Sequence, residues 1–312
     1  MTTLPARILC YVRARWISIL SIVILVTIWE IAGHLSPKSP LRESPLVPPL
    51  EMIFGRSLLG MSDYWRIDMW APMPVVGGAQ TYLGAFLALA YHSALTIFRL
   101  ASGLVLGAVI GTLLGLAISW SPFLRKLSGA PLHLLRMFPL LAMIPLFQFW
   151  FGANNLSAIV FVAYGVGVVY FVATINAASN VQGKYIDYAH TLGASQLRIY
   201  LRVVFPAILP ELFSSIMLTL GLAWSAVIGA EYVGVNSGIG RMIIWAEFFS
   251  ATGRMMLVTI LLIVYAGASY LVCRRVAAHV LRWMPSATRA EVVDHSIEAE
   301  LPMEDQPVMV NR

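Results

Sequence analysis

Charge is scarce in this 312-residue chain. Asp, Glu, Lys and Arg together make up 12% of it, against about 25% in an ordinary soluble domain. With 59% hydrophobic residues beside them, there are too few charged side chains to cover a water-facing surface. A soluble enzyme and a nucleic-acid-binding domain are excluded. Cysteine is scarcer still: Cys10 and Cys273 are too few for a disulfide framework, and no Cys/His spacing matches a zinc site. The six histidines (His34, His92, His133, His190, His279, His295) are scattered, none paired at metal-like or haem-like spacing. No paired carboxylates or activated nucleophile point to catalysis. There is also no G-x-x-x-x-G-K-S/T phosphate loop; the glycines from Gly234 to Gly240 have no lysine among them. This polypeptide is therefore not expected to bind ATP, and no cofactor is expected.

What the chain does have is long uncharged runs. Between Arg99 and Arg125 lie 25 such positions, between Arg136 and Lys184 there are 47, and Glu211–Glu231 and Arg254–Arg274 each enclose 19. Some 18 apolar residues suffice to propose a membrane span. The expected fold class is all-α, a polytopic membrane protein of about six transmembrane helices. The first span is placed at 16–35, an uncleaved anchor, because the run ends in Trp29-Glu30-Ile31 without a small-x-small cleavage site. The others are placed at 97–119, 131–151, 157–176, 206–230 and 254–273. The 47-residue run is divided by the turn signal Gly152-Ala153-Asn154-Asn155.

The formal charge of +6 conceals a basic body and an acidic end, since six of the fifteen acids fall in the last 22 residues. Basic residues mark the cytoplasmic side of a membrane. With both termini inside, 13 Lys and Arg are cytoplasmic and six external, while Arg99 and Arg136 are read as lying at span edges. The chain divides into an N-terminal arm and first span (1–35), an external loop with an interfacial segment (36–92), a core (93–285) with a cytoplasmic loop (177–205), and a disordered acidic tail (286–312). Five prolines between Pro37 and Pro49 argue against a continuous helix in the external loop. Its Met- and Trp-rich part, 61–85, suits either the membrane interface or an external protein.

Gly103, Gly107, Gly111 and Gly115 recur every four residues, so one helix face is bare enough for another backbone to approach. Helix packing is the preferred reading, a pathway wall the other. Polar candidates for a pathway are Gln148, Ser214, Thr219, Trp224, Ser225 and Glu231, though small hydroxyls more often serve packing.

The informative stretch is cytoplasmic, from Tyr185 to Pro206, too polar for a span and too regular for a random loop. Residues 184–192 are expected to form a short helix that Gly193 ends in a left-handed conformation. Residues 195–204 are expected to form a second, before Pro206 opens the fifth span. Such a pair presents a partly apolar surface with no lipid to cover it, which suggests docking to a partner.

These residues resemble the EAA motif of ABC-transporter importer permeases: E-A-A, three residues, G, nine residues, I-x-L-P. Here Asp187-Tyr188-Ala189 takes the first place, Gly193 follows after three residues, and Val203-Val204-Phe205-Pro206 after nine more. Tyr188 stands where the pattern has alanine. Further matches over 20–285 (Trp29-Glu30, Leu95-Thr96 with Arg99 and Gly103, Pro139, Pro145-Leu146, Trp150-Phe151-Gly152, Asn176, Ala230-Glu231, Gly238-Ile239-Gly240) are similar to the nitrate/sulfonate/taurine/bicarbonate permease subfamily. The resemblance implies a type I ABC importer permease of the bacterial inner membrane, with ATP hydrolysed on a partner chain. Asp187, Tyr188, Ala189, Leu192, Gly193, Val203, Phe205 and Pro206 would then form the ATPase-docking loop. The implied partners are ABC ATPase subunits, a periplasmic substrate-binding protein, a second permease subunit as a homodimer, and the lipid bilayer. The competing reading, a self-sufficient secondary transporter or channel, would call for ionisable pairs inside the spans. The near absence of charge there speaks against it.

Overall fold

Long apolar runs leave the backbone one solution in a bilayer, the helix, because every N–H and C=O must find its partner within the segment. The structure, a computed structural model of the chain, describes residues 16–37, 45–67, 70–121, 123–124, 126–127, 131, 134 and 137–284. Regular structure among them is entirely helical: α1 (Trp16–Leu35), α2 (Tyr82–Ser119), α3 (Ile144–Phe151), α4 (Asn155–Asn180), α5 (Gly183–Thr191), α6 (Gln196–Ile199), α7 (Phe205–Val233), α8 (Ile239–Phe248) and α9 (Thr252–Val280). Four helical stretches among the described residues are long and apolar enough to cross a membrane: α2, α4, α9 and the stretch Gln196–Val233. Two shorter apolar ones lie at Leu20–Leu35 and Leu140–Phe151. The expected N-terminal arm and acidic tail fall outside the described residues.

The chain divides into two compact units, Met1–His92 with Met242–Leu261, and Ser93–Arg241 with Leu262–Arg312. In the first, the proline-rich segment is not all loop. After Pro49 the backbone is helical from Leu50 to Tyr64, in four short pieces that include a π-turn at Ile53–Ser57. The prolines precede the helical residues, where a missing N–H costs nothing. Glu30, on the first span, accepts a hydrogen bond from the Leu50 N–H at 3.0 Å, placing a carboxylate at the start of that segment. Trp29 Nε1 donates to the Pro48 carbonyl at 3.0 Å. At the other end of the segment, Asp63 accepts from Arg254 Nη1 and from Gln80 Nε2, both at 2.8 Å. The Met- and Trp-rich part is half folded away: Trp65 and Ala71 are buried with Ala88, while Trp70 is exposed at φ 71°.

The second unit holds the main core. Phe161, Val162 and Val166 of α4 and Ile208, Leu220, Ala223 and Val227 of α7 are buried together. Helix α4 starts cleanly because Asn154 caps it, its side chain accepting from the N–H groups of Leu156 and Ser157 at 2.8 and 3.2 Å. The four glycines of α2 all face α4. A Cβ on Gly103 would come within 2.6 Å of Val162 Cβ, one on Gly107 within 2.5 Å of the Ala163 oxygen, and one on Gly115 within 2.6 Å of Thr174 Cβ. One on Gly111 would strike the Gly167 carbonyl. The two backbones lie against each other along three turns.

Three span boundaries differ from expectation. Helix α2 starts at Tyr82, fifteen residues before 97; Arg99, taken as the edge of the span, lies well inside the helix. Of the third span, the described part bends at Pro139 into a 3-10 turn, Leu140–Met143, and only then becomes the eight-residue α3. The fifth span does not begin at Pro206. Helix α6 runs through a π-turn, Tyr200–Val204, directly into α7, so that Gln196–Val233 is one 38-residue helical stretch. Pro206 cannot donate to a carbonyl four residues back, and its ring crowds that carbonyl. The wide turn just before it absorbs both problems without breaking the rod.

Candidate functional site

Two polar or partly polar constellations occupy opposite ends of the Gln196–Val233 rod. At the first end is the elbow made by α5, its turn and α6. Helix α5 closes with the Ala194 N–H on the Ala189 carbonyl (3.0 Å) and the Gly193 N–H on the His190 carbonyl (2.9 Å). This is the paired 6→1 and 5→2 pattern of a Schellman cap, with Gly193 at its left-handed position, φ 73°. The spacing from Ala189 to Gly193 is thus the spacing of a helix stop. A Cβ on Gly193 would meet nothing within 4 Å; backbone conformation alone demands glycine there.

The elbow has two faces. Ile199 and Val204 are buried in the core, and Ile186, Ala189, Ala194, Tyr200 and Val203 pack against it. Tyr200 also stacks near Trp120, ring centroids 4.5 Å apart. On the other face Tyr185, Tyr188, Leu192 and Leu197 are exposed, Leu192 by 87%. Of the docking-loop residues, Asp187, Tyr188, Leu192, Gly193 and Phe205 are exposed and Ala189, Val203 and Pro206 half-buried. Charged side chains (Lys184, Asp187, Arg198) lie among the exposed apolar ones. The face thus mixes exposed apolar and charged side chains on a turn fixed by the cap.

At the other end of the rod is a cluster centred on Arg99 and Glu231, whose side chains are both 0% exposed. Arg99 Nη1 donates to Glu231 Oε1 at 2.6 Å and to the Ser237 carbonyl at 2.7 Å. Its Nε and Nη2 reach Asn155 Oδ1 at 2.9 and 2.6 Å, and Nη2 also reaches Ser237 Oγ at 2.6 Å. Glu231 further accepts from Thr96 Oγ1, at 2.9 Å to each carboxylate oxygen, and from the Gly240 N–H at 3.0 Å. Arg99 is therefore a buried partner of Glu231, and the spans are not free of ionisable pairs. A buried guanidinium needs such a set, because an unpaired charge in this setting costs several kcal/mol.

The expected pathway residues do not form one surface. Gln148 joins Glu231's neighbourhood, its Nε2 donating to the Ala230 carbonyl at 3.0 Å. Trp224 is buried, its indole N–H on Ser269 Oγ at 3.0 Å. Ser214, Thr219 and Ser225 bond back to the carbonyls of Pro210, Ser215 and Gly221 on their own helix, as hydroxyls in membrane helices do. Two apolar grooves, of about 390 and 470 Å³, lie along α2; neither is lined by any of the six residues. Arg99, Thr96, Asn155 and Ser237 were missed as a group. Leu95-Thr96, Arg99, Ala230-Glu231 and Gly238-Ile239-Gly240 were each visible as matches, but nothing in the one-dimensional pattern pairs residues 132 positions apart. The described residues contain no group of His, Cys, Asp and Glu able to hold a metal.

Taken together, the long apolar helices, the glycine-faced helix contact and the polar elbow define an all-α, multi-pass membrane protein. Comparison with known proteins places it further. The family model described as "Binding-protein-dependent transport system inner membrane component" matches residues 103–284, and the chain belongs to that family. It is thus an ABC-importer permease of the all-α, polytopic kind expected from sequence. The taurine transport system permease TauC of Escherichia coli K12 is 27% identical over 240 residues, 77% of this chain and 79% of that one. A Bacillus subtilis protein bearing the name aliphatic sulfonates transport permease SsuC is 32% identical over 195 residues, covering 62% and 71%. Among solved structures, an inward-facing form of the MetNI methionine ABC transporter is similar with TM-score 0.48 and 22% identity, over 60% of this chain and 91% of that one.

Proposed function

We propose that this chain forms the translocation pathway of an ABC importer for a small solute of the sulfonate or taurine class, and that a separate ATPase drives it through the elbow at 183–206. The observation that carries this is the exposed apolar face of the Schellman-capped α5 turn, mounted on a helical rod that continues unbroken to Val233. A push on Leu192 and Tyr188 would be delivered to the whole rod, the kind of rigid-body bias that moves a bistable permease. Both termini are cytoplasmic in this reading, as the basic-residue count favours. An external binding protein delivers the solute, and two permease chains, each offering six spans, share the pathway with two ATPases. The functional parts follow the division 1–35, 36–92, 93–285 and 286–312.

Gly193→Asp tests it. Uptake is lost while the protein remains inserted, because the ATPase no longer co-purifies with it. Normal co-purification of the ATPase with that variant would overturn the reading. The buried Arg99–Glu231 pair is the one observation favouring a self-sufficient secondary transporter. Its groups are satisfied within the chain, which removes the open valence an ion-coupled carrier needs. Gradient-driven uptake by the purified chain alone in liposomes would establish that alternative.

A further inference from the structure

A buried arginine in a membrane helix is the natural suspect for meeting an anionic solute, and two relatives bear the names of sulfonate and taurine permeases. The geometry points elsewhere. A guanidinium has five N–H donors, and Arg99 spends all five inside the chain: two on Asn155 Oδ1, one on Glu231, and two on the carbonyl and hydroxyl of Ser237. The pair is electrically closed as well, since the Glu231 carboxylate is met by Arg99, the Thr96 hydroxyl and the Gly240 N–H.

What the cluster holds is the connection between α7 and α8. Two groups of the connection and two N–H groups of the first turn of α8 are engaged: the Ser237 carbonyl and hydroxyl by Arg99, the Ile239 N–H by Thr96 Oγ1 at 2.9 Å, and the Gly240 N–H by Glu231. The connection is shaped to lie over the carboxylate. Gly238 has φ 107°, and a Cβ on it would collide with the Glu231 carboxylate; one on Gly240 would come within 2.8 Å of Glu231 Cβ. The four anchors come from three helices, Thr96 and Arg99 from α2, Asn155 from the first turn of α4, and Glu231 from α7.

We propose that Thr96, Arg99, Asn155, Glu231 and Ser237 form a latch that ties the α7–α8 connection to α2, α4 and α7, and that Arg99 acts in transport as a positioning residue without touching the solute. The latch lies at the far end of the rod from the elbow. The seating itself is independent of the proposed function; its effect on transport rests on that reading.

The test therefore has two arms. In the first, a nitroxide on Asn236→Cys, an exposed site in the connection, reports local mobility in the chain reconstituted in nanodiscs. Thr96→Val and Arg99→Lys are expected to loosen it, and Thr96→Ser, which keeps the hydroxyl, to restore it. Unchanged mobility in both loosening variants would overturn the latch. In the second arm, labelled taurine uptake is followed with the full complex of permease, ATPase and binding protein. Thr96→Val and Arg99→Lys are expected to lower Vmax tenfold or more with KM within twofold. A raised KM at preserved Vmax would assign Arg99 to solute binding and refute the positioning role. If the unsubstituted complex moves no taurine, the solute class is at fault, and the mobility arm still decides the latch.

Discussion

The two ends of the Gln196–Val233 rod solve opposite problems. At the Glu231 end, charge is taken into the packed interior, and every donor on Arg99 is matched to an oxygen. At the Gly193 end, apolar side chains are left uncovered by the described residues, Leu192 most of all. A closed polar network has no further need of a partner; an open apolar face does. The contrast teaches where to look for assembly and where to look for internal rigidity. It also orders the consequences of substitution, since one end is buried and the other exposed.

The sharpest way to break the contrast is Arg99→Met, which leaves Glu231 buried without its counter-ion. A loss of about 3–5 kcal/mol is expected, read as a fall in the thermal unfolding midpoint in detergent. The double variant Arg99→Met/Glu231→Met should recover much of it, because an apolar pair of similar volume carries no uncompensated charge. A double variant no better than the single would mean that the hydrogen bonds to Ser237 and Asn155 outweigh the ion pair. Next in size is Gly111→Leu, whose side chain has no room against the Gly167 carbonyl. Forcing α2 off α4 should cost about 1–3 kcal/mol by the same midpoint, whereas Gly221→Leu, with nothing within 4 Å of its Cβ, should leave it near the original.

Smaller effects belong to the elbow. Gly193→Ala meets no atom but must hold a left-handed backbone, a strain of about 1–2 kcal/mol. Gly193→Asn, better suited to that conformation, should restore most of the ATPase co-purification that Gly193→Ala loses. The smallest change in stability is expected from Leu192→Ser, within about 0.5 kcal/mol, since the side chain is 87% exposed. Its effect should appear in ATPase co-purification instead. A large fall in melting midpoint with binding intact would reverse the comparison between the two ends.

Much of this was legible beforehand, for reasons that differ by region. The turn at Gly152–Asn155 was readable because glycine and capping asparagine act locally; Asn154 indeed caps α4. The helix stop at Gly193 was readable because a Schellman cap is a matter of six consecutive residues, Ala189 to Ala194. Arg99 misled because a charge bounding an apolar run reads as a span end. Only its burial against Glu231 explains how α2 can continue fifteen residues upstream of the expected start. The fusion of α6 with α7 was equally hidden, since Pro206 normally starts a helix and nothing local announces the π-turn that lets one pass through.

Composition and periodicity by themselves determined that this chain is helical, enters the bilayer several times and carries a polar helical elbow ahead of an apolar rod. Those outcomes depend on solvation and on bonds between residues three or four apart. Which helices touch, and which charge faces which, was decided only when the fold closed. The attraction between Arg99 and Glu231 has meaning only where packing has removed water and brought two distant stretches of chain within a hydrogen bond of each other.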